Sequence, residues 1–328
     1  MRSFVFSENI STPLGATILV LTLTVVFLNG FTDAPNAISS VVGTGSLKMW
    51  QACSLCAVFN FLGAILSYMI NSSVADSVFS LASFGESAKI GVLATLISVI
   101  VFTVFAWLFS MPSSESHALI SSILGASLAL TNGFNGSHEI FKVLTFACIS
   151  SAVAFLTARL LGSFFKRKSL PYGKLQILGA SFSSFMHGAQ DGQKFVAIMM
   201  LLFYSQSKIN DTSARIFPVL AVSLVISAGA LLGGGKIIKT LGEKTTKLNQ
   251  RTGFVADLSS SLSCLAFSML GAPISTSNVK ALALMGVAHS EKEKVNKKTA
   301  RALLLTSLLT FPVCFLLSYI IAKLLLMK

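Results

Sequence analysis

Asp33 lies in the stretch NGFTDAPNA, residues 29–37, directly after an uncharged apolar run at 14–28. A carboxylate at the centre of a membrane-spanning helix costs roughly 2.5–3.5 kcal/mol, so it persists where it meets a cation, a polar partner or a water-filled cavity. Gly30 and Pro35 flank it; Gly weakens a helix and Pro removes a backbone donor, which predicts a helix break that frees backbone groups for a ligand or a neighbouring helix. The arrangement recurs 158 residues later in HGAQDGQK, residues 187–194, where Gly188 and Asp191 repeat Gly30 and Asp33 and Lys194 supplies the adjacent fixed positive charge.

A second duplicated feature has a different chemistry. PSSESH at 112–117 and PISTSN at 273–278 share a P-x-S-x-S core at an offset of 161, and each is followed by a glycine, Gly125 or Gly286, eight residues past its His or Asn. A Pro that opens a short polar helix leaves backbone N–H groups without intrahelical partners, and the hydroxyls of Ser114, Ser116, Ser275, Thr276 and Ser277 add donors. Two such ends aimed at one cavity suit a tetrahedral oxyanion such as phosphate, with Asp33 and Asp191 holding cations. The cations are electrostatically required, because an oxyanion would join two carboxylates beside the single charge of Lys194.

These pairs make the chain two homologous halves, 1–165 and 166–328. Hydrophobic residues are 53% of the chain and charged ones 11%, with a mean hydropathy of +0.78, which places it among polytopic membrane proteins. The net charge of +13 does not indicate nucleic acid, since all but Arg159, Lys194 and Lys280 of the basic residues are assigned to short loops and ends outside the apolar runs. The N-terminus reads as a first span and not as a cleaved signal. Ten segments follow, at about 12–31, 48–70, 89–110, 113–131 and 139–163, then 175–204, 214–234, 253–271, 274–290 and 301–326. If all ten cross and the N-terminus is outside, 15 Lys and Arg residues fall on the cytoplasmic side and 7 outside, in accord with the positive-inside rule. An odd number of crossings per half makes the halves inverted relative to each other. The expected fold is thus all-α, with two inverted-topology repeats whose broken helices or helical hairpins meet at a midplane site.

With these motifs the chain resembles the inorganic phosphate transporter (PiT) family, whose halves each carry G-x-N-D-x-x-N/K and P-x-S-T-[ST]-H. The resemblance covers both halves in the right order. It implies import of orthophosphate across the cytoplasmic membrane by symport with Na+ or H+, on a fold whose P-x-S elements belong to helical hairpins. It also implies a homodimer, no cofactor beyond the coupling cation, and no catalytic residues. Carried onto this sequence, the phosphate contacts are Ser114, Ser116, His117, Gln190, Lys194, Ser275, Thr276, Ser277 and Asn278, and the cation ligands are Asp33, Asn36, Asp191, Thr32 and Glu115, with Na+ placed at Asp33 and Asp191. Thr32 and Gln190 stand where the family often has Asn, and Glu115 where it has Thr. A carboxylate there would repel phosphate unless it takes up a proton or binds a cation.

Two other functions fit parts of this pattern. A permease for sulfate or another oxyanion would use nearly the same residues. An intramembrane aspartyl protease would need Asp33 and Asp191 to share a proton, but it leaves the P-x-S pair and Lys194 unexplained. Cys53 and Cys56 form a C-x-x-C inside an apolar span with no neighbouring Cys or His pair, which reads as packing rather than zinc or redox chemistry.

Overall fold

The structure, a computed structural model, describes residues 12–109, 114–131, 137–203, 212–235, 238, 248–293 and 297–327. Pro112, Ser113 and the loop cations Arg2, Lys208, Lys236, Lys239, Lys244, Lys247, Lys294 and Lys328 lie outside the described residues.

Helix α1 (Pro13–Thr32) opens with Pro13 at its first position and Thr12 as its cap, the Thr hydroxyl accepting from the Gly15 amide at 3.1 Å. It ends at Asp33, whose amide still reaches the Asn29 carbonyl at 2.8 Å, and α2 (Pro35–Gly43) begins at the proline. The expected break is therefore present in the first copy. In the second copy it is not: α8 (Tyr172–Phe203) runs through 187–194 as one helix of 32 residues. Gln193 stands where Pro35 stands in the first copy, so no backbone donor is lost.

Between them lie α3 (Met49–Ile70), α4 (Ser73–Leu81), α5 (Ala88–Leu108), α6 (Glu115–Thr131) and α7 (Ser137–Phe165). After α8 come α9 (Thr212–Leu232), α10 (Gln250–Met269), α11 (Thr276–Ser290) and α12 (Lys297–Leu326). The short α4 has no counterpart among the ten segments read from hydropathy. It packs on α8 through one buried face that includes Val74, Ala75, Val78 and Leu81.

Each P-x-S segment is the second arm of a hairpin. In α5–α6 the chain returns to its starting level, where the Ser83 amide donates to Ser127 Oγ at 3.0 Å and Thr131 Oγ1 donates to the Ser83 carbonyl at 3.3 Å. In α10–α11 the closing contact is Arg251 Nη2 to Glu291 Oε2 at 2.9 Å. Because each hairpin leaves at the end it entered, the number of crossings per half stays odd whether or not the hairpins traverse the whole bilayer. The arms α6 and α11, of 17 and 15 residues, reach only about 25 and 22 Å at 1.5 Å per residue, short of a ~30 Å hydrocarbon core. The ten-crossing count is accordingly not met by length and apolarity: six described helices satisfy both, while α8 and α10 are long enough but carry too many polar residues.

Contacts between the halves come in matched sets. Helix α1 packs on α9 and α3 on α8; α6 packs on α12 and α7 on α11. At the first two crossings glycines let the backbones touch: a Cβ on Gly30 would strike the Ile226 carbonyl and one on Gly229 the Phe27 carbonyl, while Gly63 faces the Phe185 carbonyl and Gly188 that of Asn60. Gly125 and Gly286 do the same against Phe315 and Phe155.

One end of the molecule gathers the basic loops. Gly173 lies against Gln250, the Gln176 side chain accepts from the hydroxyls of Thr44 at 2.9 Å and Ser46 at 2.6 Å, and Glu291 pairs with both Arg251 and Lys166. Hydrogen bonds from Arg251 hold the Glu291 carboxyl below the usual range. The loops that carry Lys48, Lys166–Lys174, Arg251 and Lys292 thus share a face, as the positive-inside reading requires.

Candidate functional site

The N-termini of α6 and α11 meet in the buried interior. Ser114 Oγ donates to Ser275 Oγ at 2.7 Å, and each serine caps its own helix, accepting from the amide of His117 or Asn278 at 3.2 Å. The His117 ring nitrogen Nδ1 lies 3.5 Å from the Asn278 side-chain nitrogen Nδ2. Two first turns from opposite halves are therefore joined cap to cap, with the amides of Glu115, Ser116, Thr276 and Ser277 as the donors an anion would meet.

Asp33 and Asp191 flank this junction, and with His187 each brings a ligand atom to within 4.8 Å of the others. Their surroundings differ. Asp191 takes Lys194 Nζ at 2.5 Å, Asn29 Nδ2 at 3.1 Å and Ser116 Oγ at 3.4 Å, and its Oδ2 lies 3.3 Å from His187 Nε2. Asp33 accepts from Asn36 Nδ2 at 2.7 Å through Oδ1. Its Oδ2 is buried without a hydrogen-bond donor, as are Asn29 Oδ1, Asn36 Oδ1 and Glu115 Oε2. Buried acceptors are ordinarily paired; bare oxygens on Asp33, Asn29 and Asn36, with that of Glu115 nearby in the chain fold, are the kind of acceptor a hard cation takes.

Lys194 is almost fully buried, and its ammonium donates to Asp191, to Ser116 Oγ at 2.6 Å and to the Ile274 carbonyl at 2.6 Å. All three of its protons are committed in this conformation. It lies beside the helix junction, but its charge is matched by Asp191. Gln190 is turned toward the hairpin tip, donating to Ser268 Oγ at 2.7 Å and the Ala272 carbonyl at 3.3 Å and accepting from the Ile274 amide at 3.4 Å. It braces the tip from below.

Glu115 is buried, its Oε1 accepting from the Thr32 hydroxyl, and Thr32 also donates to the Leu28 carbonyl at 2.8 Å. Thr32 also lines an apolar pocket of ≈ 230 Å³ between α1 and α5, with Phe27, Phe31 and Trp107 among its walls. The Thr276 hydroxyl is buried and unpartnered, and Thr276 shares a cavity of ≈ 10 Å³ with Asn36, His187 and Lys280.

The residues expected at the site are thus brought together, all buried except the half-buried Asn278, although Gln190 and Lys194 face protein groups. Sequence reasoning missed four residues, Asn29, Asn60, Asp257 and Lys280. Asn29 touches Asp191, and Asn60 holds His187 Nδ1 at 2.6 Å. Asp257, on α10, pairs with Lys280 on α11 and accepts from Ser40 Oγ at 2.6 and 2.8 Å. Asp257 satisfies the criterion applied to Asp33, a carboxylate within an apolar segment, but it has no duplicate in the first half to single it out. The proton-sharing dyad of an aspartyl protease is not formed, since Asp191 is salt-bridged to Lys194.

Resemblance to known proteins extends over most of the chain. The sequence model of the Phosphate transporter family matches twice, over residues 29–172 and 163–318. A "Probable low-affinity inorganic phosphate transporter" of Bacillus subtilis (strain 168) is 30% identical over 90% of this chain and 94% of its own length. A protein of the same description from Rhizobium meliloti (strain 1021) is 30% identical over 85% of this chain and 86% of its own. Among solved structures, "The sodium-dependent phosphate transporter" superposes with a TM-score of 0.82 over 95% of this chain and 99% of its own, at 21% identity.

Proposed function

Because the chain belongs to the phosphate transporter family, we propose that the capped junction of α6 and α11 is where it takes up inorganic phosphate for import across the cell membrane by symport with a cation. The chain is a multi-pass transporter and not an enzyme. The observation that carries the site is the buried meeting of two helix N-termini beside four unpaired acceptor oxygens, a donor set for an oxyanion next to an acceptor set for a cation.

The donors for phosphate are the first turns of α6 and α11 with Ser114, Ser116, His117, Ser275, Thr276, Ser277 and Asn278; Gln190 and Lys194 hold those turns in place, and Lys194 adds positive charge. The coupling cation is Na+, held by Asp33, Asn36, Asn29 and Asp191, with Glu115 and Thr32 beside it. Na+ suits an all-oxygen set better than a proton does, because a proton would satisfy one oxygen and leave the others bare. Three buried carboxylates, Asp33, Glu115 and Asp191, outnumber the one ammonium of Lys194, so phosphate enters only with compensating cations, and this couples the two fluxes.

Residues 1–165 and 166–328 act as two inverted repeats, a reading supported by the double match of the family model and the matched helix contacts between the halves. Rocking of one repeat against the other exposes the junction to each side in turn. A homodimer is proposed on the family resemblance alone.

The test is uptake of labelled phosphate into proteoliposomes under separately imposed Na+ and H+ gradients. Uptake driven by the Na+ gradient alone and unaffected by excess sulfate is expected. Uptake driven by the H+ gradient alone would remove the Na+ assignment, and competition by sulfate would favour the broader oxyanion permease.

A further inference from the structure

A second buried ion pair lies on the basic side of the junction and is not used by the phosphate site. Lys280 and Asp257 are 2% and 0% exposed, and the Lys280 ammonium also donates to the Ala37 carbonyl at 3.2 Å. We infer that Lys280 is a release-side subsite for the transported oxyanion, closed in this conformation by Asp257, which occupies the ammonium that phosphate would take. The inference rests on the phosphate reading above.

Packing does not demand the pair. The residue 161 positions before Lys280, at the equivalent place in α6, is Leu119, which is fully buried. A helix of the same hairpin type is therefore accommodated with an apolar side chain. Replacing a buried ion pair by apolar residues is often neutral or stabilising, so charges retained in one half alone call for a role other than stability.

Position supplies that role. Lys280 is one helical turn beyond Thr276 on α11, on the same face. Both line the ≈ 10 Å³ cavity that also touches Asn36 and His187, so Lys280 adjoins the junction directly. Beyond it a chain of polar groups continues outward. Asp257 accepts from Ser40, the Ser40 carbonyl accepts from Gln176 at 3.1 Å, and Gln176 accepts from Thr44 and Ser46. Gln176 is buried, whereas Gly45 and Lys48 are exposed on the basic face. An oxyanion leaving the junction toward the cytoplasm meets Lys280 as its next cation. It can pair there only by displacing the Asp257 carboxylate, an exchange of one anion for another that leaves the ammonium matched throughout.

The test uses the full chain in proteoliposomes with labelled phosphate, comparing wild type, the double variant Asp257→Leu/Lys280→Leu, the double variant Asp257→Asn/Lys280→Gln, and Lys280→Arg. Both double variants are expected to melt in detergent close to wild type and to keep its KM for external phosphate. Their maximal uptake rate should fall by about tenfold or more, as for an interaction used after substrate binding, while Lys280→Arg retains most of it. A double variant that folds and transports at the wild-type rate would overturn the subsite, as would a loss confined to KM. If neither double variant folds, the pair is structural and the inference falls. A wild type that carries no phosphate under any gradient would remove the phosphate reading itself, an outcome distinct from a wild type that is active and variants that match it.

Discussion

Asp33 and Asp191 are equivalent by motif and unequal by environment. Asp191 has partners on both oxygens, including the Lys194 ammonium at 2.5 Å, while Asp33 has one oxygen on Asn36 and one bare. Asp33→Asn is therefore expected to leave the fold intact and abolish cation-driven uptake, because it changes a ligand without stranding a charge. Asp191→Asn strands Lys194 and should lower stability by about 3–5 kcal/mol, the usual cost of breaking a buried pair. Asp191→Asn/Lys194→Gln should recover most of that stability but not transport. Melting in detergent alongside uptake checks both, and equal stability of the two Asp→Asn variants would refute the distinction. The pairing was open to reading from sequence as an i,i+3 contact, but only on the premise that the helix continues through 187–194, and the duplicated motif argued for a break. Glu115 gives a second test. It lies with three other groups, Asp33, Asp191 and Lys194, whose charges bear on the site, and phosphate binding adds further negative charge. Glu115→Gln is expected to retain uptake and flatten its dependence on external pH, measured against wild type at each pH to cancel the titration of phosphate itself. Parallel profiles would assign Glu115 no proton role, and loss of all uptake would make it a Na+ ligand.

At the scale of elements, the apolar segments were legible because each is a run of one composition, and their bounds agree with the helices to within a few residues. The hairpins were legible only through the family resemblance of the P-x-S elements, because hydropathy reports how long a segment is and not which end its neighbour returns to. Helix α4 escaped for a related reason: nine residues with one buried face are too short to register as a span. Backbone contact between helices is equally silent in composition, yet it is testable. A Cβ on Gly188 would meet the backbone of Asn60, the residue that holds His187. Gly188→Ala should cost about 1–3 kcal/mol through overpacking and slow uptake as well. Gly235→Ala, where the nearest atom is the far end of Met49 at 4.0 Å, should do neither. Thermal melts of the two variants decide, and matching melts would mean that α3 can shift away from α8 without penalty.

For the whole molecule, the duplication predicted a two-part architecture, and α1 packs on α9, α3 on α8, α6 on α12 and α7 on α11. What duplication could not convey is where the halves differ. The first carries its Asp at a break between two helices, whereas the second carries it in the middle of a continuous one. A rod about 48 Å long, from 32 residues at 1.5 Å each, cannot stretch, and it holds His187, Asp191 and Lys194 at set heights along its length. Helix α8 is therefore expected to act as the stator of the machine, and α1 with α2, which meet at Asp33, as its rotor arm. Spin labels near the two ends of α8, at positions 174 and 201, should keep one separation with and without phosphate and Na+, while a label on α2 changes its distance to either. A change in the length of α8 itself would reverse the assignment and make the second half the moving part.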